Sequence, residues 1–576
     1  MKQKTVQWLY AVPGGKNQLY IVILTVVQSL LGTSGVWYAF LMRELVDSAV
    51  GGNTVGFWTN VAWLVGLTLG QLLLRVLLRH FSELGRTTFE NAFKKRLFCA
   101  LLHKEYGAID AVHSGEWMNR LTNDTVVVSN GYVEIIPGLA GMVVKLISAL
   151  VMLLVLDLRF GAILLPCGAA LALLSYLFRK VLKRMHKGVQ EADGRLRIFL
   201  QERIGSMVMI RSFAAEGQTE AEAAEYLDAH KAARMRRNGF SNLCHFGFGF
   251  VMNAMYLFGV CYCGFGILIG TVTYGTLTAI TQLISQIQSP FANLTGYLPR
   301  WYTMLASAER LMEAESFADE TTEPPLIEPE VRDCYEHRLA SVGLEHVSYT
   351  YYPSVGSPDT LSKENQPVVL QDVSLAVKKG EIIAFTGHSG CGKSTVLKLL
   401  MCLYRPDAGE CVLTERDGTR VTLSPAWHRL FAYVPQGNRL MSGTIREIVA
   451  FAQPDRQRDD AAIWDALSIA CAEEFVRTLD GGLDTMLGER GEGLSEGQMQ
   501  RISVARAIFS ESPILLLDEA TSSLDEQTER VLLDNLRRLT DRTVVIVTHR
   551  SAALSICDRI LHFAEDGVTE RPVPEK

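Results

Sequence analysis

Apolar residues are concentrated in the first three hundred positions of the chain, where they form long runs. A membrane-spanning helix needs about 20 mostly apolar residues. The alternative for any single run is a buried core helix, but several runs with one charge pattern favour a membrane domain. The six predicted spans lie at residues 19–41, 57–78, 135–156, 160–178, 246–269 and 274–298.

Two polar stretches, residues 79–131 and 179–243, separate the apolar runs into groups. Both keep a helical spacing of apolar residues, and neither contains a cluster of turn residues long enough to form a separate domain. We therefore expect all-α structure here, with long helices that continue out of the bilayer.

Lysine and arginine are far more frequent in these two stretches than in the short connections, which carry only Arg43 and Arg159. Loops rich in these residues tend to stay cytoplasmic. The first residues lack the pattern of a cleaved signal peptide and are interpreted as a retained cytoplasmic start. The sequence thus predicts a multi-pass protein of the plasma membrane, with the lipid bilayer as a partner and both termini cytoplasmic.

A change of composition marks a domain boundary. Residues 317–340 are acidic, contain prolines and lack an amphipathic period, so they are predicted to link a transmembrane domain of residues 1–316 to a second domain of residues 341–576. The net charge of −6 is mild for 576 residues, so no nucleic-acid partner is expected. The scattered cysteines do not suggest a disulfide framework.

The second domain opens with a strand, a glycine-rich turn and a helix that contain GHSGCGKST. Gly387, Gly392, Lys393 and Ser394 satisfy the phosphate-loop pattern GxxxxGK[ST]. Glycines let backbone N–H groups converge on phosphate, lysine reaches the terminal phosphates, and the serine hydroxyl can bind Mg²⁺. The other predicted nucleotide-binding residues of the loop are Ser389, Gly390, Cys391 and Thr395.

Two later strands also end in polar residues. In the segment ILLLDEATSSLD, an apolar strand ends at Asp518 and Glu519. In TVVIVTHR, a second apolar strand ends at His549. The first carboxylate is placed to hold Mg²⁺, and the second to polarise the water that attacks the γ-phosphate. Acidic residues that cap the following helix are the common alternative, but capping does not explain three strand ends that suit phosphoryl transfer.

The segment LSEGQ, residues 494–498, stands before Asp518 and resembles the signature of the ABC transporter ATPase. The motifs of that family follow in order over residues 341–565. They are represented here by Lys393, Gln436, Ser495, Glu519 and His549. The resemblance implies an α/β P-loop ATPase domain of ABC type, with ATP and Mg²⁺ as cofactors and with Glu519, His549 and Gln436 as catalytic residues.

The resemblance also assigns residues that the pattern alone does not. Tyr351 matches the aromatic residue that stacks on adenine, although the adjacent Tyr349 and Tyr352 leave the register open. Gln436 matches a residue that links Mg²⁺ to the membrane domain, and Asp525 matches a loop at the dimer interface. Signature residues Ser495, Gly497 and Gln498 would cover the ATP held by a second chain.

One membrane domain joined to one ATPase resembles an exporter-type half-transporter. The resemblance implies a dimer, formed with an identical or a different half, that moves an amphiphilic substrate such as a lipid, drug or peptide. Residues 114–128 and 201–216 resemble its two coupling regions, and residues 488–491 resemble an element that touches them. An importer, a membrane-tethered ATP switch and a gated channel remain as alternatives.

Some features fall outside the family pattern. Glu496 replaces the usual middle glycine of the signature, and residues 354–366 are predicted to form a loop that is longer than usual after Tyr351. Lys145 is a charge within the third predicted span, where it either faces an anion in a cavity or extends toward the membrane surface. The polar residues of the sixth span either line a cavity or form hydrogen bonds between helices.

Overall fold

The computed structural model describes most of the chain. The described residues are 2–320, 323–353, 363, 366–437, 440–488, 491, 493–564 and 567–573, without the side chains of residues 2–3, 163–180, 182–183, 248, 290–295 and 298. The chain divides into two compact units. One comprises residues 1–94 and 123–308, and the other comprises residues 95–122 and 309–576.

Long helices make up the N-terminal part of the chain. They are α1 (Lys2–Ala11), α2 (Gln18–Val50), α3 (Thr54–His103), α4 (Tyr106–Asp110), α5 (Ser114–Asn119), α6 (Thr125–Leu156), α7 (Leu158–Gly205), α8 (Met207–Ser212), α9 (Glu216–Leu268) and α10 (Tyr274–Ser316). The polar stretches after the second and fourth predicted spans continue α3 and α7, as their apolar spacing predicted. Short helices α4, α5 and α8 interrupt these extensions.

Four helical segments among the described residues are long and apolar enough to cross a membrane, and they include α2, α3, α6 and α9. They coincide with the first, second, third and fifth predicted spans, so the prediction of a helical membrane domain is confirmed. The fourth and sixth predicted spans lie in α7 and α10, where many side chains are outside the described set.

The second unit contains the β-structure of the protein. Its strands are β1 (Leu339–Thr350), β2 (Val368–Lys378), β3 (Ile382–Gly387), β4 (Ala408–Glu415), β5 (Arg420–Thr422), β6 (Phe431–Val434), β7 (Gly443–Thr444), β8 (Met486–Leu487), β9 (Ile514–Asp518), β10 (Thr543–Val547), β11 (Arg559–Ala564) and β12 (Gly567–Arg571). Its helices are α11 (Glu328–Asp333), α12 (Lys393–Leu400), α13 (Ile445–Val449), α14 (Asp460–Ile469), α15 (Glu473–Thr478), α16 (Glu496–Phe509), α17 (Glu526–Arg537) and α18 (Ser551–Leu554).

The strands form an antiparallel sheet in the order β2-β1-β4-β5 and a six-stranded sheet in the order β12-β11-β3-β10-β9-β6. In the larger sheet β11, β3, β10, β9 and β6 run parallel. Side chains alternate between its faces. Ile383 and Phe385 of β3 join a core shared with the antiparallel sheet, whereas Ile382 and Ala384 join a core shared with helices.

The interval predicted as a linker is partly built into the second unit. Helix α11 lies within it, and Val331, Cys334 and Tyr335 are buried in the core beneath the antiparallel sheet. The hydroxyl of Tyr335 lies 2.9 Å from Thr543 Oγ1 on β10. Because α11 has only six residues, its burial comes from contacts with distant segments, which an amphipathic period cannot reveal.

The glycine-rich turn after β3 has a backbone that side chains would disturb. Gly387 has φ +138°, and a Cβ there would lie 2.4 Å from the Phe563 carbonyl oxygen of β11. Gly390 has φ +86°, but a Cβ there would meet nothing within 4 Å. Both positions favour glycine, and only Gly387 adds a steric conflict with a neighbouring strand.

This difference predicts unequal effects of alanine on stability. Gly390→Ala should cost about 1–2 kcal/mol, the usual penalty for a left-handed backbone. Gly387→Ala should cost clearly more, because β3 and β11 would have to separate. The thermal unfolding midpoint of the full chain without nucleotide measures both effects. Equal midpoints for the two variants would contradict the turn geometry described above.

Candidate active site

The predicted polar residues meet at one edge of the six-stranded sheet. The turn of residues 387–395 follows β3, Gln436 follows β6, Glu519 follows β9, and His549 follows β10. These strands are parallel, so their carboxyl ends lie on the same edge, where open α/β sheets place ligands. The fold thus collects segments that lie far apart in the sequence.

Lys393, the first residue of α12, is buried within the glycine-rich turn. Its Nζ donates hydrogen bonds to the carbonyl oxygens of Gly387 at 2.7 Å and His388 at 2.9 Å. Nζ also lies 3.6 Å from Cys391 Sγ. The turn therefore holds an ammonium group beside the N-terminus of a helix, an arrangement that attracts phosphate.

Asp518 ends β9 and is almost fully buried. Its Oδ2 accepts a hydrogen bond from Tyr433 Oη at 3.1 Å, and its carboxylate also accepts one from the Ser394 hydroxyl. Among the described residues, no group hydrogen-bonds to Asp518 Oδ1. Burial raises the pKa of Asp518 above its usual value. A buried carboxylate oxygen without a donor, next to a hydroxyl, is a donor set that suits a hard cation.

Glu519 projects from the end of β9 through an unusual backbone conformation. Its φ is +53°, and its N–H donates to the Val547 carbonyl of β10 at 3.1 Å. Gln436 Nε2 donates to Glu519 Oε2 at 2.8 Å. Left-handed backbone at a residue other than glycine costs free energy and is concentrated at functional sites. Two of the three predicted catalytic residues are therefore in direct contact.

His549, the third, is solvent-exposed at the same edge, two residues after the end of β10. The next residue, Arg550, was not predicted. Its guanidinium donates to the carbonyl oxygens of Ser522 at 2.6 Å and Leu524 at 2.9 Å, and to Glu529 Oε2 at 2.8 Å. Arg550 thus fixes the loop that leads to Asp525. The sequence feature that could have identified Arg550 is its position next to the predicted catalytic residue His549.

The structure separates the roles of the neighbouring tyrosines. Tyr349 is fully buried and stacks on Tyr404 at 5.2 Å, whereas the hydroxyl of Tyr352 donates to Glu105 Oε1 at 3.1 Å. Tyr351 is partly exposed, and its hydroxyl lies 2.7 Å from Thr395 Oγ1 of the phosphate loop. Of the three rings, Tyr351 is the one placed beside the nucleotide-binding turn.

Tyr404 connects this aromatic group to the segment of residues 95–122. Its ring meets that of Tyr351 edge-on at 5.7 Å. Its hydroxyl donates to Asp110 Oδ2 on α4 at 3.0 Å and accepts from Lys398 Nζ on α12 at 2.9 Å. Burial raises the pKa of Tyr404, so the hydroxyl remains a donor. The helix that follows the phosphate loop is thus joined to α4 through one side chain.

The signature residues lie at the N-terminus of α16. Ser495 Oγ accepts from the N–H of Gln498 at 3.3 Å, and Gln498 Oε1 accepts from the N–H of Ser495 at 2.8 Å, which forms a capping box. Gly497 lies in the first turn of the same helix. Asp525 caps α17 by accepting from the N–H of Thr528 at 2.9 Å, and this bond lowers its pKa.

Gln500, two residues after the signature, was also missed. Its Nε2 donates to Ser522 Oγ at 2.9 Å, and its Oε1 accepts from the N–H of Ser523 at 3.1 Å. Gln500 therefore ties α16 to the loop after Glu519. Its burial makes these bonds necessary, but burial is a property of the folded structure and leaves no local signal in the sequence. Residues 489–490 of the element that resembles a coupling contact lie outside the described residues.

Known families account for most of the chain. The profile of the ABC transporter family matches residues 370–522, and that of the ABC transporter transmembrane region matches residues 19–291. The mouse mitochondrial potassium channel ATP-binding subunit is 29% identical over 523 residues, which cover 88% of this chain and 68% of the relative.

Two further comparisons agree with these matches. A fatty acid ABC transporter ATP-binding/permease protein of Mycobacterium tuberculosis is 28% identical over 463 residues, 80% of this chain and 70% of the relative. The structure of a bacterial Atm1-family ABC exporter with ATP bound superposes with a TM-score of 0.76 at 22% identity, over 96% of this chain and 95% of that one. This last likeness confirms the fold.

The second domain is thus an ATPase whose hydrolysis is coupled to transport, and the first is its membrane domain. The chain belongs to the ABC transporter family, as a half-transporter that joins one membrane domain to one ATP-hydrolysing domain and has the fold of an ABC exporter.

Proposed function

We propose that two copies of this chain, or this chain and a different half, use ATP hydrolysis to move an amphiphilic substrate out of the cytoplasmic leaflet of the plasma membrane. The observation that carries the proposal is the contact between Glu519 and Gln436 at the sheet edge that also holds the phosphate loop. A carboxylate fixed there is suited to repeated turnover, which favours a transporter over a tethered switch or a gated channel.

The roles of the residues follow from their positions. The attacking water bonds to the γ-phosphorus, the bond from phosphorus to the bridging oxygen of ADP breaks, and Glu519 accepts the proton of the water. Gln436 orients the carboxylate through its 2.8 Å hydrogen bond. Lys393 exchanges its carbonyl partners in the turn for phosphate oxygens, and His549 offers a ring N–H at the same edge. Tyr351 supplies the ring that stacks on adenine.

The donor set around Asp518 fits Mg²⁺. The Ser394 hydroxyl and the unpaired Oδ1 of Asp518 are hard oxygen donors of the kind that this ion prefers. Gln436, which contacts the adjacent Glu519, would add an amide oxygen. When bound with ATP, the ion would neutralise charge on the β- and γ-phosphates.

The two-chain arrangement is supported by surfaces of the single chain. Ser495 and Gln498 cap the N-terminus of α16, and a helix N-terminus attracts phosphate groups such as those of ATP held by another chain. Helix α8 and the residue that follows it, in the second predicted coupling region, present a strongly exposed apolar surface, with Val208 83% and Phe213 77% exposed. Exposed apolar clusters in a polar setting mark interaction sites, and we assign this one to the partner's ATPase domain.

Replacing Glu519 tests the chemical proposal. Glu519→Gln should retain ATP binding and lower the steady-state hydrolysis rate by about 10²-fold or more, the scale for removal of a general base. Rate and nucleotide retention should be measured on the same sample. Glu345→Gln, at a partly exposed carboxylate paired with Arg420 on the antiparallel sheet, serves as the matched control. Hydrolysis by Glu519→Gln within a few-fold of wild type would exclude Glu519 as the base.

A charge on α8 tests the contact with the partner chain. Val208→Asp should lower ATP hydrolysis by about fivefold or more, because burying an unpaired carboxylate in an apolar interface is costly. Val531→Asp, at another exposed valine on α17, is the control for added charge. Unchanged hydrolysis and unchanged dimer mass for Val208→Asp would show that α8 faces solvent in the working protein.

A further inference from the structure

The membrane unit contains a group of charged side chains where three helices leave the predicted spans, on the side predicted to be cytoplasmic. Arg86 lies on α3, Glu134 on α6 and Arg300 on α10. Glu134 Oε1 accepts from Arg86 Nη2 at 2.8 Å, and Glu134 Oε2 lies 3.3 Å from Arg300 Nη1. One carboxylate is therefore shared by two guanidinium groups, which we term the inner arginine pair.

The inner arginine pair retains donors for a further anion. The side chain of Arg300 is 66% exposed, and among the described residues no group accepts from the buried Nε of Arg86. Arg86 also lies 3.4 Å from Glu83, but that carboxylate is 65% exposed, and exposed ion pairs are weak. Each guanidinium has five N–H donors in a fixed fork, so Glu134 occupies a minority of them.

A third cation lies deeper on the same face of α6. Residues 134 and 145 are three helical turns apart, about 16 Å along the axis. Lys145 Nζ donates to Ser289 Oγ on α10 at 2.7 Å, and Ser289 stands at the same spacing from Arg300. Between the two levels the Tyr297 hydroxyl of α10 reaches the backbone of α6, since a Cβ on Gly138 would lie 2.5 Å from Tyr297 Oη. We call this surface the α6–α10 seam.

The partner of Lys145 is neutral. A charged side chain near the middle of a bilayer costs at least about 2.5–3.5 kcal/mol, and a hydroxyl compensates less of this cost than an anion does. An ammonium kept in this setting would be stabilised further by a negative charge on a bound molecule. The seam therefore offers cations at two depths, and Arg300 of the shallower pair is exposed.

We propose that the α6–α10 seam binds the anionic headgroup of an amphiphile, first at the inner arginine pair and then at Lys145. The forked guanidinium groups match the geometry of a phosphate or carboxylate headgroup, and the apolar chain of the ligand stays in the hydrocarbon layer. The inference rests on the proposed export function and specifies its substrate class as amphiphiles with a phosphate or carboxylate headgroup.

Substitution of Glu134 distinguishes an anion-binding role of these charges from a purely structural one. If the charges only hold three helices together, removal of Glu134 or of either arginine should act in the same direction. If the seam binds an anion, Glu134 competes with the ligand, so its neutralisation should strengthen binding while neutralisation of an arginine weakens it. The two interpretations therefore predict opposite effects of neutralising Glu134 on anion binding.

The test uses the full-length protein in phosphatidylcholine nanodiscs, with binding followed by intrinsic fluorescence. The probes are dodecyl phosphate, dodecyl maltoside as a neutral amphiphile and inorganic phosphate as a headgroup without a chain. Arg86→Gln and Arg300→Gln should each raise the half-saturating concentration of dodecyl phosphate about tenfold, and Glu134→Gln should lower it. Arg79→Gln, which removes the same charge from an exposed position of α3, is the control and should bind as wild type does.

Lys145→Ala should abolish stimulation of ATP hydrolysis by dodecyl phosphate, because the deeper of the two cationic binding positions is lost. Three results would each overturn the proposal. They are tighter binding of dodecyl maltoside than of dodecyl phosphate by the wild type, binding of inorganic phosphate as tight as that of dodecyl phosphate, and weaker binding of dodecyl phosphate by Glu134→Gln. The Glu519→Gln variant distinguishes headgroup binding from ATP hydrolysis, since it should bind dodecyl phosphate normally but should not hydrolyse ATP.

Discussion

The site depends on one backbone hydrogen bond, from the N–H of Glu519 to the carbonyl of Val547. In the parallel pair β9–β10, Asp518 is the last residue in register, opposite Val547. The extra bond holds the next residue against β10 with φ +53°, which turns its side chain away from the path of the strand and toward Gln436. The carbonyl of Glu519 then accepts from the N–H of Ser522 at 3.1 Å, so the same turn starts the loop that Arg550 and Gln500 hold.

Local motifs could be predicted from the sequence because their chemistry and spacing lie within a few residues. The phosphate loop and the strand ends at Asp518 and His549 are of this kind, whereas the signature at Ser495 was assigned through its resemblance to the ABC transporter ATPase. Arg550 was missed because its partners after β9 become neighbours only when β9 and β10 pair. Gln500 was missed because Ser522 and Ser523 become its neighbours only when α16 folds beside the loop after β9. Helix α11 was interpreted as linker for the same reason, since six residues carry too little periodicity to reveal burial by distant strands.

In the membrane unit the sequence identified the unusual residues but not their partners. The sequence marked Lys145 as unusual because it is a charge within an apolar run. For the polar residues of α10 it left two alternatives open, a cavity lining and hydrogen bonds between helices. The structure supplies contacts between helices for two of them, Ser289 with Lys145 and Gln288 with the Met252 carbonyl at 3.0 Å. Thr281 instead bonds to carbonyls of its own helix. Helical spacing fixes which residues share a face, but it does not determine which helix that face meets.

Glu496 is best understood through the capping box around it. Ser495 and Gln498 satisfy each other's backbone N–H groups without help from residue 496, so the helix does not need a glycine there. A carboxylate in the first turn is also favoured by the helix dipole. The substitution is therefore compatible with a regular α16, and its consequence is electrostatic. In a two-chain arrangement it would place a negative charge close to the partner's nucleotide, where the backbone N–H groups of α16 would have to offset the repulsion.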